Sequence, residues 1–149
     1  MRNKNRTATI DWILQKDWEL AITLTFKKDC TEHRARKTMR RLWNSIDKQL
    51  YHKAFKKQSK RVERVCVLEK GQSGTHYHYH IATSPPNDID ISLDNYRLMI
   101  AKECNNLSSA GYISKLQPIY ENKGWAKYIT KEITTTNTDV IDEVTTHLN

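Results

Sequence analysis

Long apolar runs are missing from this sequence, and with them any helix able to span a bilayer. The basic stretch Met1-Arg2-Asn3-Lys4-Asn5-Arg6 has no apolar signal core behind it, so secretion is not expected. Cysteine is scarce: Cys30, Cys66 and Cys104 are odd in number, widely spaced and without a CxxC pair. That argues against a disulfide framework or a cysteine metal site, and predicts reduced, partly buried thiols in an intracellular protein. No P-loop signature (GxxxxGK then Ser or Thr) occurs, so these residues carry no ATPase of that kind. No internal repeat is visible. Acid is nearly missing from one stretch: between Glu32 and Arg64, twelve Lys or Arg face only Glu32, Asp47 and Glu63.

What is present fits one globular domain. At 149 residues the chain can bury a real core, and 38% hydrophobic with 28% charged residues is a folded composition rather than a disordered one. The net charge of +8 suits a partner with dense negative charge, nucleic acid first. Arg34, Lys37, Arg40, Arg41, Lys56, Lys57, Lys60 and Arg61 are the candidate phosphate contacts, with a solvated basic surface as the plain alternative.

Periodicity predicts the order β-α-β-β-α-β-α. Leu20, Ile22, Leu24 and Phe26 alternate with Ala21, Thr23 and Thr25, which is a strand over 19–26. After Thr31, the apolar residues Ala35, Met39, Leu42, Trp43, Ile46 and Leu50 keep helical spacing. Residues 51–61 read as a basic, mobile loop. A hairpin follows, with strands over 62–69 and 75–83 around a turn at 70–74. A helix over 94–107, with Leu98, Ile100 and Ala101 inward, a strand over 111–119 and a helix from 122 or 123 to 133 complete the pattern. The fold class expected is α+β, an antiparallel sheet with helices packed on one face, of ferredoxin-like (RRM-like) type. Residues 1–133 form the domain in this reading. The Thr-rich, acidic tail 134–149, which contains no Lys or Arg, is expected to fray.

Three histidines stand in this frame. His76, His78 and His80 alternate with Tyr77 and Tyr79, so on one strand the imidazoles share a face. Imidazoles at i and i+2 are close enough to chelate a divalent ion. If Lys70 pairs with Thr75, Glu69 lies opposite His76 and diagonal to His78, adding a carboxylate to the same face. Such a donor set suits Mg²⁺ or Mn²⁺ at a phosphate. On the last helix, Ala126, Ile129 and Ile133 form a narrow apolar stripe, and Tyr128 and Lys131 lie together away from it. A phenol with a pKa near ~10 is a weak nucleophile at neutral pH, and needs a polarised phosphate and a nearby cation.

In combination, these residues resemble the HUH endonuclease superfamily, in its single-tyrosine, rolling-circle replication-initiator (Rep) form. Ala21-Ile22-Thr23-Leu24-Thr25-Phe26 resembles its first motif. Glu69-Lys70-Gly71 with His78-Tyr79-His80 resembles the second, and Tyr128-Ile129-Thr130-Lys131 the third. The tyrosine follows the histidines, which is the order in Rep proteins and not in conjugative relaxases. Single-tyrosine transposases share that order, and Lys131 favours the Rep type. The resemblance implies a metal-dependent endonuclease and strand transferase. It would nick and rejoin sequence-specific single-stranded DNA at an origin or hairpin-flanking site, through a 5′-phosphotyrosine on Tyr128. Glu69, His78 and His80 would hold Mg²⁺ or Mn²⁺, with His76 as an alternative ligand, and Lys131 would position the tyrosine or offset charge. A separate helicase and polymerase of the host would be partners, in the cytoplasm of a prokaryote or the nucleus of a eukaryote. Trp125, Tyr77 and Tyr79 are candidates to stack on bases, with core packing as the alternative. A nucleic-acid-binding module without chemistry is the rival of another class.

Overall fold

A computed structural model describes residues 4–71, 73–107, 111–133, 137 and 140–148. The elements are α1 (Lys4–Ile13), β1 (Leu20–Phe26), α2 (Glu32–Tyr51), α3 (Lys53–Lys57), β2 (Arg64–Glu69), β3 (His78–Thr83), α4 (Leu93–Asn105), β4 (Gly111–Pro118) and α5 (Asn122–Ile129). The four strands form one antiparallel sheet in the order β2-β3-β1-β4. The α+β class expected from the periodicity is therefore the class observed.

Strand alternation sorts the sheet into two faces. Leu20, Ile22, Leu24 and Phe26 of β1, Cys66 and Leu68 of β2, and Tyr79 and Ile81 of β3 meet α2 and α4 in the larger core. Each large apolar side chain fully buried there, such as Trp43, Met39 or Ile46, contributes roughly 1.5–3 kcal/mol. That burial outweighs the like-charge crowding of the outer face of α2, where pairs at i, i+4 cost only ~0.2–0.5 kcal/mol each. Thr31 caps α2 by accepting the Arg34 N–H, and Ser92 caps α4 by accepting the Asn95 N–H. The opposite face carries Val65 and Val67 of β2 and Ala82 of β3, packed with Ala126, Ile129, Ile133, Ile13 and Trp18. Helices therefore cover both faces, not one.

Several expectations need correction. Helix α1 carries no apolar stripe along its length and becomes visible only through its end, where Ile10, Trp12 and Ile13 reach the second core. The 51–61 loop contains the short helix α3, set off by positive φ at His52 and Ser59, and Arg61 stacks 3.9 Å from the Phe55 ring centroid. In α4 the buried stripe is Tyr96, Ile100 and Cys104, spaced by four, while Leu98 is 62% exposed. Helix α5 ends at Ile129 rather than at 133.

The tail was expected to fray, but residues 140–148 run along the outer edge of β2. Leu68 N–H donates to Val140 O (2.7 Å), Asp142 N–H to Cys66 O (2.9 Å), and Arg64 and His147 exchange backbone bonds. Asp142, 2% exposed, accepts the Tyr79 hydroxyl at 2.6 Å. The packed domain thus extends past residue 133. The expectation for 134–136, 138, 139 and 149 lies outside the described residues.

Candidate active site

Strand β3 begins at His78, not at 75, so His76 and Tyr77 precede it. The register pairs Glu69 with His78 and Val67 with His80. Glu69 is thus opposite His78 and diagonal to His80, two residues along from the expected pairing. A shift of two keeps every side chain on its face, whereas a shift of one would have turned the carboxylate away. The cause is a longer connection. Residues 70–77 close through Gly74 N–H to Gly71 O (3.1 Å) and His76 N–H to Lys70 O (3.1 Å), with Gly71 at φ +72°.

On the face that carries α5, His80 is central. Its Nε2 lies 2.7 Å from Glu69 Oε2 and its Nδ1 lies 3.2 Å from Thr23 Oγ1. With Glu69 ionised, Nε2 carries the proton of that short contact, and a neutral ring then accepts the Thr23 hydroxyl at Nδ1. A hydroxyl can also accept, so Thr23 serves either tautomer. Lys131 Nζ is 3.1 Å from Glu69 Oε1. The His80 hydrogen bond and the Lys131 ammonium, against the opposing effect of burial, hold the Glu69 carboxyl at a pKa of about 2. Burial opposes the Lys131 charge, but Glu69 and Tyr128 outweigh it and raise that pKa above the usual lysine value. The His78 ring packs edge-on against His76 at 4.4 Å. Burial pushes the His78 pKa down, with Glu69 opposing.

Helix α5 brings Tyr128 to this group. Ala126 and Ile129 bury its inner side, which leaves Tyr128 54% exposed on the flank. Its ring meets His80 edge-on at 5.7 Å, and Lys131 Nζ lies 4.3 Å from its centroid. Arg6 of α1 donates to Lys127 O (2.6 Å), steadying a carbonyl of the last turn. Glu69, His78, His80, Tyr128 and Lys131 are thus brought together, with His76 at the margin beside His78.

The candidate phosphate contacts are not in this group. Arg34, Lys37, Arg40 and Arg41 are exposed on α2, which packs on the other face of the sheet, and Lys56 and Lys57 are exposed on α3. Lys60 pairs with Asp88 at 2.8 Å, and Arg61 donates to Phe55 O and Lys60 O. Tyr79 and Tyr77 are buried, so neither presents a ring for stacking. Thr23 and Glu132 were missed. Thr23 sits on the outward face of β1 in the first motif, a signal that points to it. Glu132 follows Lys131 but gives no local pattern.

The chemistry of the donor set, one carboxylate with two imidazoles on one sheet face, fits Mg²⁺ or Mn²⁺. His78 Nδ1 is buried and makes no hydrogen bond among the described residues, as a donor atom kept for another partner would be. Glu69 is engaged directly by His80 and Lys131, and among the described residues no three His, Cys, Asp or Glu side chains are arranged to hold an ion.

A four-stranded antiparallel sheet, helix-covered, with an ionisable carboxylate–imidazole face beside a helix-borne tyrosine, defines the class. A family model of replication-associated proteins, the ORF2 type, matches residues 19–137, well over half of the chain, and the chain belongs to that family. The matched span holds all four strands and α5, and begins after α1. No curated protein and no solved structure matches the chain. The protein is therefore replication-associated, with DNA as its class of partner. Among the described residues no helix is long and apolar enough to cross a membrane.

Proposed function

We propose that this protein initiates rolling-circle replication by nicking and rejoining single-stranded DNA, with Tyr128 as nucleophile. The observation that carries the reading is the packing of an exposed tyrosine against His80 and under Lys131, both tied to Glu69. In this reading the phenolic oxygen attacks the scissile phosphorus in line. A new tyrosyl phosphoester forms as the bond to the 3′-oxygen breaks. The phenol gives up its proton and the leaving 3′-oxygen takes one up, giving a free 3′-hydroxyl. Attack by another 3′-hydroxyl reverses the step and reseals a strand.

Lys131 stands beside both the ring and the carboxylate, where an ammonium offsets developing negative charge. Glu69, His78 and His80 are the residues that would hold Mg²⁺ or Mn²⁺, which when bound supplies polarisation of the phosphate. Thr23 orients His80 from the neighbouring strand, as outer hydrogen bonds orient ligating imidazoles. The exposed Arg34, Lys37, Arg40, Arg41, Lys56 and Lys57 would contact DNA phosphates away from the chemistry, while Lys60 and Arg61 are held by protein contacts. A separate helicase and polymerase would extend from the freed 3′-end.

The test is incubation with Mn²⁺ and single-stranded oligonucleotides bearing hairpin-flanking sites. A covalent protein–DNA adduct, lost in Tyr128→Phe, is the expected result. Salt-sensitive binding with no adduct across many sequences would instead favour a binding module, the reading that the basic face of α2 supports.

A further inference from the structure

The turn of chain just past Tyr128 makes a second connection to β2 that the reading above does not use. The Glu132 carboxylate accepts two successive backbone N–H groups: Lys70 N–H at Oε2 (2.8 Å) and Gly71 N–H at Oε1 (3.0 Å). Adjacent N–H groups converge on one anion only in a turned backbone, and Gly71 supplies the turn at φ +72°. A Cβ at Gly71 would meet His76 O at 3.2 Å, so side chains are unwelcome there on two counts. The bonds are charge-assisted, and they join the segment after Glu69 to the segment after Lys131. Two neighbouring pairs are therefore cross-linked. Lys131 grips the Glu69 side chain, and Glu132 grips the backbone immediately after it.

We infer that Glu132 is a positioning residue, which fixes the tyrosine-bearing helix against the Glu69–His80 pair by clamping the Lys70–Gly71 backbone; the inference rests on the nickase reading. Helix α5 has only eight residues, and its apolar grip is confined to Ala126 and Ile129. Such a grip fixes the depth of the helix but leaves its sliding and rotation to polar contacts at its ends. Arg6 acts at one such contact, on the Lys127 carbonyl. Glu132 acts beyond the helix end, on the side of Glu69. Both of its oxygens are committed to N–H groups, so it serves by holding the loop and not by binding an ion. A misplacement of reacting groups by about 1 Å can cost on the order of 100-fold in rate.

The experiment compares wild type, Glu132→Ala, Glu132→Gln, Gly71→Ala and the Glu132→Ala/Gly71→Ala double variant. Three quantities are read. One is adduct formation with a randomised single-stranded oligonucleotide pool and Mn²⁺, another is Mn²⁺ affinity, and the third is amide hydrogen exchange at Lys70 and Gly71. Glu132→Ala should slow adduct formation roughly 10- to 100-fold, with half-saturation by the pool and Mn²⁺ affinity moving less than about twofold. Exchange of both amides should rise about tenfold or more. Glu132→Gln keeps one acceptor oxygen and should fall between. The double variant should be no slower than the worse single one, because both changes open one clamp. If Glu132→Ala does not fold, Glu132→Gln and Gly71→Ala carry the same comparison. Unchanged amide exchange, or an unchanged adduct rate, overturns the inference. A tenfold loss of Mn²⁺ affinity overturns it in favour of Glu132 as a ligand. If wild type itself forms no adduct, the nickase reading has failed and takes the catalytic role with it. The exchange measurement alone then decides whether the clamp exists.

Discussion

The Tyr128 ring meets the His80 imidazole edge-on, with centroids 5.7 Å apart, although the two residues come from a helix and a strand far apart in sequence. The contact joins what the sequence offers as two separate motifs. It also ranks the histidines, because His80 alone touches Glu69, Thr23 and Tyr128, while His76 touches the group only through His78.

That ranking predicts Mn²⁺ binding. His80→Ala and His78→Ala should each weaken affinity at least tenfold, in line with the loss of a first ligand, and His76→Ala should change it by less than about threefold. Titration followed by the Mn²⁺ spin-resonance signal reads this directly. Loss in His76→Ala with retention in His80→Ala would show the ligand choice to be wrong.

Glu69 predicts an acid limb in metal-free stability. Its folded pKa of about 2 lies below the usual value of roughly 4.3 for an unfolded glutamate. As pH falls, the unfolded chain therefore takes up the proton first. The stabilisation is complete above about pH 4.5 and is lost as pH falls toward 2. Urea unfolding in chelator should show wild type and Glu69→Gln converging over that window. A gap that stays constant from pH 6 to about 3 would contradict the assignment.

The buried pair Asp47–Arg64 predicts a stability defect with no part in the chemistry. Asp47 is fully buried, accepts Arg64 Nη1 at 2.8 and 2.9 Å, and also accepts the Val62 N–H. Asp47→Ala leaves a buried guanidinium with one carbonyl partner at Thr145 and another at Val62, and should cost about 3–5 kcal/mol. Asp47→Ala combined with Arg64→Met should cost less than the sum of the two single changes. Strict additivity would mean that the pair is not coupled.

The seated tail predicts that removing residues 140–149 matters. The cut uncovers backbone groups of Arg64, Cys66 and Leu68 and leaves the Tyr79 hydroxyl buried without Asp142. Roughly 3–6 kcal/mol should be lost, since each such bond contributes about 1 kcal/mol and an orphaned buried group costs more. Chemical denaturation measures it, and a truncated chain of unchanged stability would restore the frayed tail.

What could be read from the sequence was what repeats locally. The alternation of Leu20 to Phe26 and the stripe from Ala35 to Leu50 settle strand and helix because burial follows their periods. The candidate cluster was legible for the same reason, since Glu69, His78 and His80 share a face under any even register. The register itself was not, because it depends on how residues 70–77 fold over Gly71 and on the distant carboxylate of Glu132. The burial of Asp142 was hidden as well. An acidic, Thr-rich tail resembles a solvated one until Tyr79 and β2 are placed beside it. The four-residue step from Tyr96 to Ile100 to Cys104 was open to inspection, and Leu98 was a misreading of it.

The seated tail also decides how this sheet can grow. With 140–147 laid on β2, that border is closed, and among the described residues only the far side of β4 offers unpaired strand backbone. Pairing between two copies through β4 is self-complementary and uses up both open borders. Any association by that route stops at a two-fold pair and cannot propagate into a fibre.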